Sequence, residues 1–421
     1  MDCRFFLWNR YFSKKYILWI VFATISRCQL FAQYTYPIYG GVFRTIGYSD
    51  SVSGKLISVL SSSNQKIRVT NYYDYDTTLS LTSNKVADFL VLRKYFCLGV
   101  RSNNSIAKRC IFVLANDPLT VSFVDIFQTN GTSKTTIINT PTGSYQSIEK
   151  LNCGSQYVLY HPKTCHESYY PNSTGLKYSL MSYCFTVVAF DDNTEVQFDL
   201  NFDTDLGRKF TKTLNRGETF QMSLKYPRGK LHIVNGGKIQ SSNCNKKLAV
   251  FSNNMGLGFT TGLDFFQIDK GIYPYHGYEI EQLQPIKSWG YEFVVASEGK
   301  SHMGNTYHLF SLKDNTIWIN GKMTIIDKDT VIADTVFYKP LLIQSLKPIA
   351  ITQYVSGAKN LSSFGAPDDK VYANVLDFVS IPPTNALTKE IAIPIPTPVG
   401  TSQMNRVVVF SPGNNKIEVN G

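Results

Sequence analysis

The sequence predicts an all-β chain, and three observations carry that expectation. Tyr (26) and Phe (27) make up most of a 14% aromatic content, and aromatic side chains favour strands. Short apolar runs are bounded by Gly, Asn, Asp and Pro, and no helical apolar period is sustained. Finally, Phe310-Ser-Leu-Lys-Asp-Asn-Thr-Ile-Trp-Ile-Asn-Gly321 recurs at an offset of 100 as Phe410-Ser-Pro-Gly-Asn-Asn-Lys-Ile-Glu-Val-Asn-Gly421. Recurrence on that scale implies stacked or circularised β units. The expected architecture is tandem antiparallel meander repeats of about 100 residues, β-propeller-like, with tandem β-sandwiches as the alternative. An apolar content of 43% with 17% charged residues excludes a disordered polyelectrolyte.

Residues 1–28 read as a secretory signal. Arg4, Arg10, Lys14 and Lys15 form a basic leader, and Tyr16-Ile-Leu-Trp-Ile-Val-Phe-Ala-Thr-Ile25 an apolar segment. That segment is too short for a transmembrane helix. Ser26 and Cys28 are the small side chains before a cut at Gln29, and Leu30-Phe31-Ala32 offers a second cut. The expected mature domain is 29–421. Losing the leader takes the formal charge from +11 to +7, with 37 basic residues against 30 acidic ones. Such a modest, dispersed excess predicts no nucleic-acid partner, and no stable membrane span is encoded.

Six cysteines remain in the mature chain: Cys97, Cys110, Cys153, Cys165, Cys184 and Cys244. An even number in an exported chain predicts three disulfides. Cys97 and Cys110 flank one polar loop and form the local choice of pair, while the other four admit three pairings. Asn103, Asn130, Asn172 and Asn360 head Asn-x-Ser/Thr sequons in polar stretches, where an attached oligosaccharide would stay solvated.

Further motifs recur along the chain. Ala189-Phe-Asp-Asp-Asn-Thr-Glu-Val-Gln-Phe198 is a third copy of the first motif, one residue out of phase in its alternation. A strand–polar turn–strand motif spans Ile343–Tyr354, Ile239–Phe251 and Val113–Phe123, and Pro348 and Pro118 suit its turn. A third motif pairs Trp289-Gly-Tyr-Glu-Phe-Val-Val-Ala296 with Cys153-Gly-Ser-Gln-Tyr-Val-Leu159. The last repeat breaks off at Gly421, so the expectation is either a fragment truncated at its C-terminus or a ring completed by the segment around Leu56-Ile-Ser-Val-Leu60.

These motifs occur in a recognisable order. Thr213-Leu-Asn-Arg-Gly-Glu-Thr-Phe220 precedes Ile239-Gln-Ser and Leu248-Ala-Val-Phe-Ser252. Glu281-Gln-Leu-Gln-Pro-Ile-Lys-Ser-Trp-Gly-Tyr-Glu-Phe-Val-Val295 and Val379-Ser-Ile-Pro-Pro-Thr384 follow. Over about residues 50–421, most strongly from Cys184, the chain resembles the amino-terminal domain of the secreted, mucus-associated IgGFc-binding proteins. The resemblance implies a domain type and an extracellular setting, and assigns no ligand to particular residues. The Cys-rich von Willebrand D-type modules of larger family members do not follow in this sequence.

Candidate chemistry is sparse. Asp199, Asn201, Asp203 and Asp205 alternate, which would set hard oxygen ligands for calcium on one face of a strand, but Thr204 and Phe210 occupy the glycine and acid positions of an EF-hand loop. A solvated, acid-rich hairpin is the expectation. His161, Cys165 and His166 lack a second ligand pair at zinc-finger spacing, and His302 and His308 read as surface residues. No fingerprint of a hydrolase, phosphate loop or dinucleotide site is present, so the expectation is a non-enzyme with no cofactor or metal. Arg216-Gly217-Glu218 reads as a turn between strands. The candidate contact residues are Tyr72, Tyr73, Tyr75, Tyr273, Tyr275 and Tyr278, because tyrosine offers a large, rigid contact with a polar tip. The function expected is recognition of an extracellular protein or glycan without catalysis. A matrix protein acting by self-association is the first rival, and a secreted hydrolase the second.

Overall fold

In a computed structural model the chain is described over residues 34–39, 42–43, 53–92, 95, 98–99, 104–127, 145–160, 183–223, 236–255, 278–296, 305–336, 339–355 and 377–386. These residues form strands, turns and two short 3-10 segments, Ile286–Ser288 and Thr384–Ala386.

The first unit contains β1 (Tyr34–Tyr39), β2 (Val42–Phe43), β3 (Ser53–Ser61), β4 (Gln65–Thr70), β5 (Asp76–Leu81) and β6 (Val86–Leu92). It continues with β7 (Leu98–Gly99), β8 (Ile106–Ala107), β9 (Cys110–Ala115), β10 (Leu119–Phe127) and β11 (Tyr145–Gln146). Its two sheets run β1-β9-β4-β5 and β11-β10-β3-β6. Strand β4, Gln65-Lys-Ile-Arg-Val-Thr70, shows why it is a strand: Ile67 and Val69 are buried between exposed Lys66 and Arg68. Its inward side chains meet Ile57 and Val59 of β3 and Val121 of β10 in one core, so the two sheets form a sandwich.

The second unit contains β12 (Gln156–Leu159), β13 (Tyr183–Ala189), β14 (Thr194–Asp199), β15 (Lys209–Leu214), β16 (Thr219–Ser223), β17 (Gly237–Ser241), β18 (Leu248–Met255) and β19 (Tyr278–Gln282). Its sheets run β12-β17-β14-β15 and β19-β18-β13-β16, with β8 of the first unit added at the β16 edge. The third unit contains β20 (Gly290–Val295), β21 (Asn305–Ser311), β22 (Asn315–Ile319), β23 (Lys322–Ile326), β24 (Val331–Val336), β25 (Leu341–Val355) and β26 (Asp377–Ile381). Its seven strands form one hydrogen-bonded sheet, and β25 serves both halves of it. Residues 341–345 pair with β20 and β22, whereas residues 349–355 pair with β21 and β26.

The three strand orders coincide. β9, β17 and the first half of β25 hold the same place, as do β4, β14 and β22, and β5, β15 and β23. The described chain is thus three successive sandwiches of one topology. Leu56–Leu60 lies in β3, flanked on both sides by β6 and β10. Those backbone groups are already paired, so this segment does not complete a later unit as ring closure would require.

The strand–polar turn–strand motif is the crossing from one sheet of a sandwich to the other. The crossing occurs at Asn116–Pro118 in the first unit and at Ser242–Lys247 in the second. In the third, Pro348 departs from expectation, because it lies inside β25, beside a register shift in which Glu292 pairs Gln344 but Gly290 pairs Ile349. A bulge accommodates proline because the local ladder is already interrupted. The Asn315 amide braces this bulge, donating to the Lys347 carbonyl at 2.9 Å and accepting from the Lys347 N–H at 3.0 Å. Gln65 does the same work in the first unit, its Oε1 accepting from the N–H groups of Asn116 and Asp117 at 3.2 and 3.1 Å.

The Trp289-Gly and Cys153-Gly motif marks the start of a sandwich. A Cβ on Gly154 would lie 2.5 Å from the Pro285 Cβ, and one on Gly290 would lie 2.1 Å from the Pro383 Cβ. The second and third sandwiches therefore each begin on a glycine packed beneath a proline that follows their last described strand. Only a residue without a side chain permits that approach.

Candidate binding surface

The turn Asn71–Tyr75 joins β4 to β5 and carries three of the candidate tyrosines. Buried Asn71 organises it, with its Oδ1 accepting from the N–H groups of Tyr73, Asp74 and Tyr75, each at 3.0 Å. Such a side-chain-directed turn leaves Tyr72 at a positive φ of 65°. The Tyr72 ring packs at 5.0 Å from Phe112, which in turn meets Phe190 edge-on at 6.0 Å. Burial pushes the Tyr72 hydroxyl up to about 12. Tyr75 packs against Tyr95 with ring centroids 4.7 Å apart. Tyr73 is the exposed member, at 41%. Its hydroxyl donates to the Arg216 carbonyl at 3.1 Å, and the Lys108 ammonium sits 3.8 Å from its ring centre.

The partner of this turn is Arg216-Gly217-Glu218, which joins β15 to β16 as the sequence indicated. Gly217 has a φ of 78°, and a Cβ there would lie 3.1 Å from the Tyr72 ring. The tyrosine turn of the first sandwich is therefore seated on a turn of the second. Tyr72 packs on this turn and on Phe112, Tyr75 packs on Tyr95, and Tyr73 stays the most exposed of the three. Tyr278 lies in β19, paired with Met255. Tyr273 and Tyr275 fall outside the described residues.

The acid-rich segment is the β14–β15 hairpin. Asp199, Asn201, Asp203 and Asp205 are all exposed, and Asp199 pairs with Lys209 at 3.1 Å and Asp203 with Arg208 at 2.7 Å. The Arg208 guanidinium holds the Asp203 carboxyl below its ordinary value. Among the described residues no three His, Cys, Asp or Glu side chains gather as a metal site. His161, Cys165, His166 and His302 lie outside the described residues. His308 is half-buried in β21 rather than at the surface.

The cysteines depart from the expected framework. Cys110, Cys153 and Cys184 are buried free thiols and Cys244 is an exposed one, so no bridge forms among these four. Cys97 and Cys165 lie outside the described residues, and the expected Cys97–Cys110 pair with them. The physical reason is placement. Cys110 opens β9 in the first core, where its thiol donates to the Ile38 carbonyl at 3.4 Å, and Cys184 sits in β13 of the second unit. Burial pushes the Cys153 thiol up to about 12, and raises those of Cys110 and Cys184. They behave as small apolar side chains. The sequons at Asn103, Asn130, Asn172 and Asn360 also lie outside the described residues.

Two features were missed by sequence reasoning. One is the outward face of the third sandwich, where Met323 (61% exposed), Ile325 (69%), Leu342 and Leu346 surround half-buried Trp318. The alternation of Lys322–Ile326 could have suggested it. The other is a group of lysines at the first junction, gathered from distant positions with no local signal.

A row of sandwiches with clamped junctions and turns at their ends is the build of a scaffold that presents surfaces. The chain belongs to the IgGFc binding protein family, whose sequence profile matches residues 117–421, well over half of its length. No curated protein and no solved structure matches it. The family match begins at the β9–β10 turn, yet β1 to β9 already follow the strand order of the later sandwiches. No helix among the described residues is long and apolar enough to cross a membrane.

Proposed function

We propose that the protein is a secreted, extracellular recognition module that binds a protein or glycan stoichiometrically and without catalysis. Membership of the IgGFc binding protein family over residues 117–421 is the observation that carries this reading. The three braced sandwiches support it, since a rigid framework lowers the ordering cost of binding through the turns it presents. Of the three tyrosines in the Asn71–Tyr75 turn, Tyr73, exposed and with Lys108 over its ring, is the one placed to contribute. The test is a screen of the secreted chain against arrayed extracellular proteins, immunoglobulin Fc among them, and glycans, with the unfolded chain as control. A saturable, fold-dependent partner supports the reading, and silence across the array removes it.

One observation favours a second reading, self-association. Strand β23 ends its sheet, with no partner on its outer side among the described residues. Its Met323 and Ile325 flank Thr324, so antiparallel pairing of two copies centred on Thr324 sets each Met323 opposite an Ile325. Sedimentation across a concentration series tests this reading, and a chain that stays monomeric throughout sinks it.

A further inference from the structure

The residues around Leu151 hold an arrangement that neither the recognition reading nor the family match assigns. Lys247, from the crossing between β17 and β18, and Lys287, from the Ile286–Ser288 turn, both donate to the Leu151 carbonyl, at 2.7 and 3.1 Å. Two ammonium groups on one oxygen lie within about 6 Å of each other, where like charges repel appreciably. Neither is ion-paired among the described residues. The carboxylate that acts on Lys287, Glu149, is buried and already accepts N–H groups from Thr35 and Leu151. Burial first, and Lys247 second, hold the Lys287 ammonium below its ordinary value.

Two more lysines adjoin them. Lys150 pairs with Asp191 at 2.8 Å, and Lys246 donates at 2.7 Å to the carbonyls of both Asp192 and Asn193. Four lysines thus gather where the first junction meets two turns of the second sandwich, and only Lys150 has a carboxylate partner. Each ammonium has three donors, so Lys247 and Lys287 each keep N–H groups beyond the one given to Leu151. An anion placed between them would accept those donors and relieve the repulsion. The adjoining crossing presents exposed Ser242, Asn243 and Asn245, hydroxyl and amide groups of the kind that meet sugar hydroxyls, while Leu151, 55% exposed, offers an apolar contact for a ring face.

We infer that this surface binds an anionic saccharide, with a sulfate ester or carboxylate held between Lys247 and Lys287. The inference deepens the recognition reading and rests on it for its extracellular setting. The full chain is titrated calorimetrically with a sulfated oligosaccharide, its desulfated form, hexaglutamate and inorganic sulfate. The sulfated form should bind, inorganic sulfate should compete, and added salt should weaken binding. Binding should weaken at least about tenfold in the K247Q/K287Q double variant and persist in K247R/K287R, which keeps both charges. K85Q, on an exposed lysine of the first sandwich, should bind as wild type does. Absent binding, or equal binding by the double glutamine variant, overturns the inference. Equal affinity for hexaglutamate also overturns it, in favour of an acidic peptide. A protein partner found in the array, with no saccharide bound, overturns this site and leaves the recognition reading standing.

Discussion

The second and third sandwiches share one strand order yet differ in core and in surface. The second core is a network of rings: Phe198 stacks on Phe210 at 4.5 Å and meets Phe220 at 5.3 Å, and Tyr160, Trp289 and Phe310 join it. The third is mainly aliphatic, built from Ile317, Ile326, Ile343, Ile349, Ile351 and Leu309 around Phe293 and Tyr307. On the outward face the contrast reverses. Glu195, Asp199, Lys209 and Thr211 are exposed in the second sandwich, where the third exposes Met323, Ile325 and Leu342 around Trp318. The first sides with the second, showing Lys66, Arg68, Asp76 and Thr78. Inward alternation therefore sets the topology whichever apolar residues supply it. The outward positions are free of that constraint, and there the units diverge.

The largest effect expected is in the cores. Phe220→Ala should cost about 3–5 kcal/mol, and Ile343→Ala about 2–5 kcal/mol, in chemical denaturation. Ring pairs add about 0.5–1.5 kcal/mol beyond area, so a Phe220 loss no greater than that of Ile343 would show that the aromatic network adds nothing. At the junctions, Gly290→Ala should destabilise by about 1–3 kcal/mol, and Gly154→Ala by less, because the new methyl meets Pro383 more closely than Pro285. An unchanged melting temperature in Gly290→Ala would refute the clamped junction.

The surfaces should respond differently. Glu at both Met323 and Ile325 should leave stability within about 0.5 kcal/mol while abolishing any concentration-dependent association. Thr211→Ile in the second sandwich should move that unit toward association, and the pair of results measures how much the apolar face decides. Of the four described thiols, only Cys244 should react with a thiol reagent in the folded chain. Early labelling of Cys184 would break the account of the second core.

The smallest effect concerns the polar face of the first sandwich. A hydrogen bond from Arg68 holds the Asp76 carboxyl below its ordinary value. The folded value is the depressed one, so the stabilisation is present above the unfolded value and is lost as pH falls through the folded one. Both side chains are about half exposed, which limits the pair to a few tenths of a kcal/mol. Asp76→Asn should show that deficit at neutral pH, and the deficit should vanish in acid. A deficit that persists in acid would assign the effect to packing.

Much of the fold was legible because turns and alternation are local. The hairpin after Asp199 and the Arg216-Gly217-Glu218 turn could both be read from their residues. The Trp289-Gly and Cys153-Gly match located the starts of two sandwiches, although not the prolines that press on them. Pro348 misled, because proline favours a turn and a bulge alike, and only pairing on both sides of β25 distinguishes them. No bridge joins the four described cysteines, because bonding requires sulfurs to meet in space, which an even number in the sequence does not decide.

By itself, then, the sequence determined the all-β class, the recurrence of its units and its family. Those rest on periodicity, turn chemistry and motif order, which are properties of neighbours along the chain. The tertiary structure alone decided that the units are paired-sheet sandwiches, that Tyr72 is seated on the turn at Gly217, and that Lys247 and Lys287 share the Leu151 carbonyl. Each of these joins residues distant in sequence, and such meetings are set by how the sheets pack.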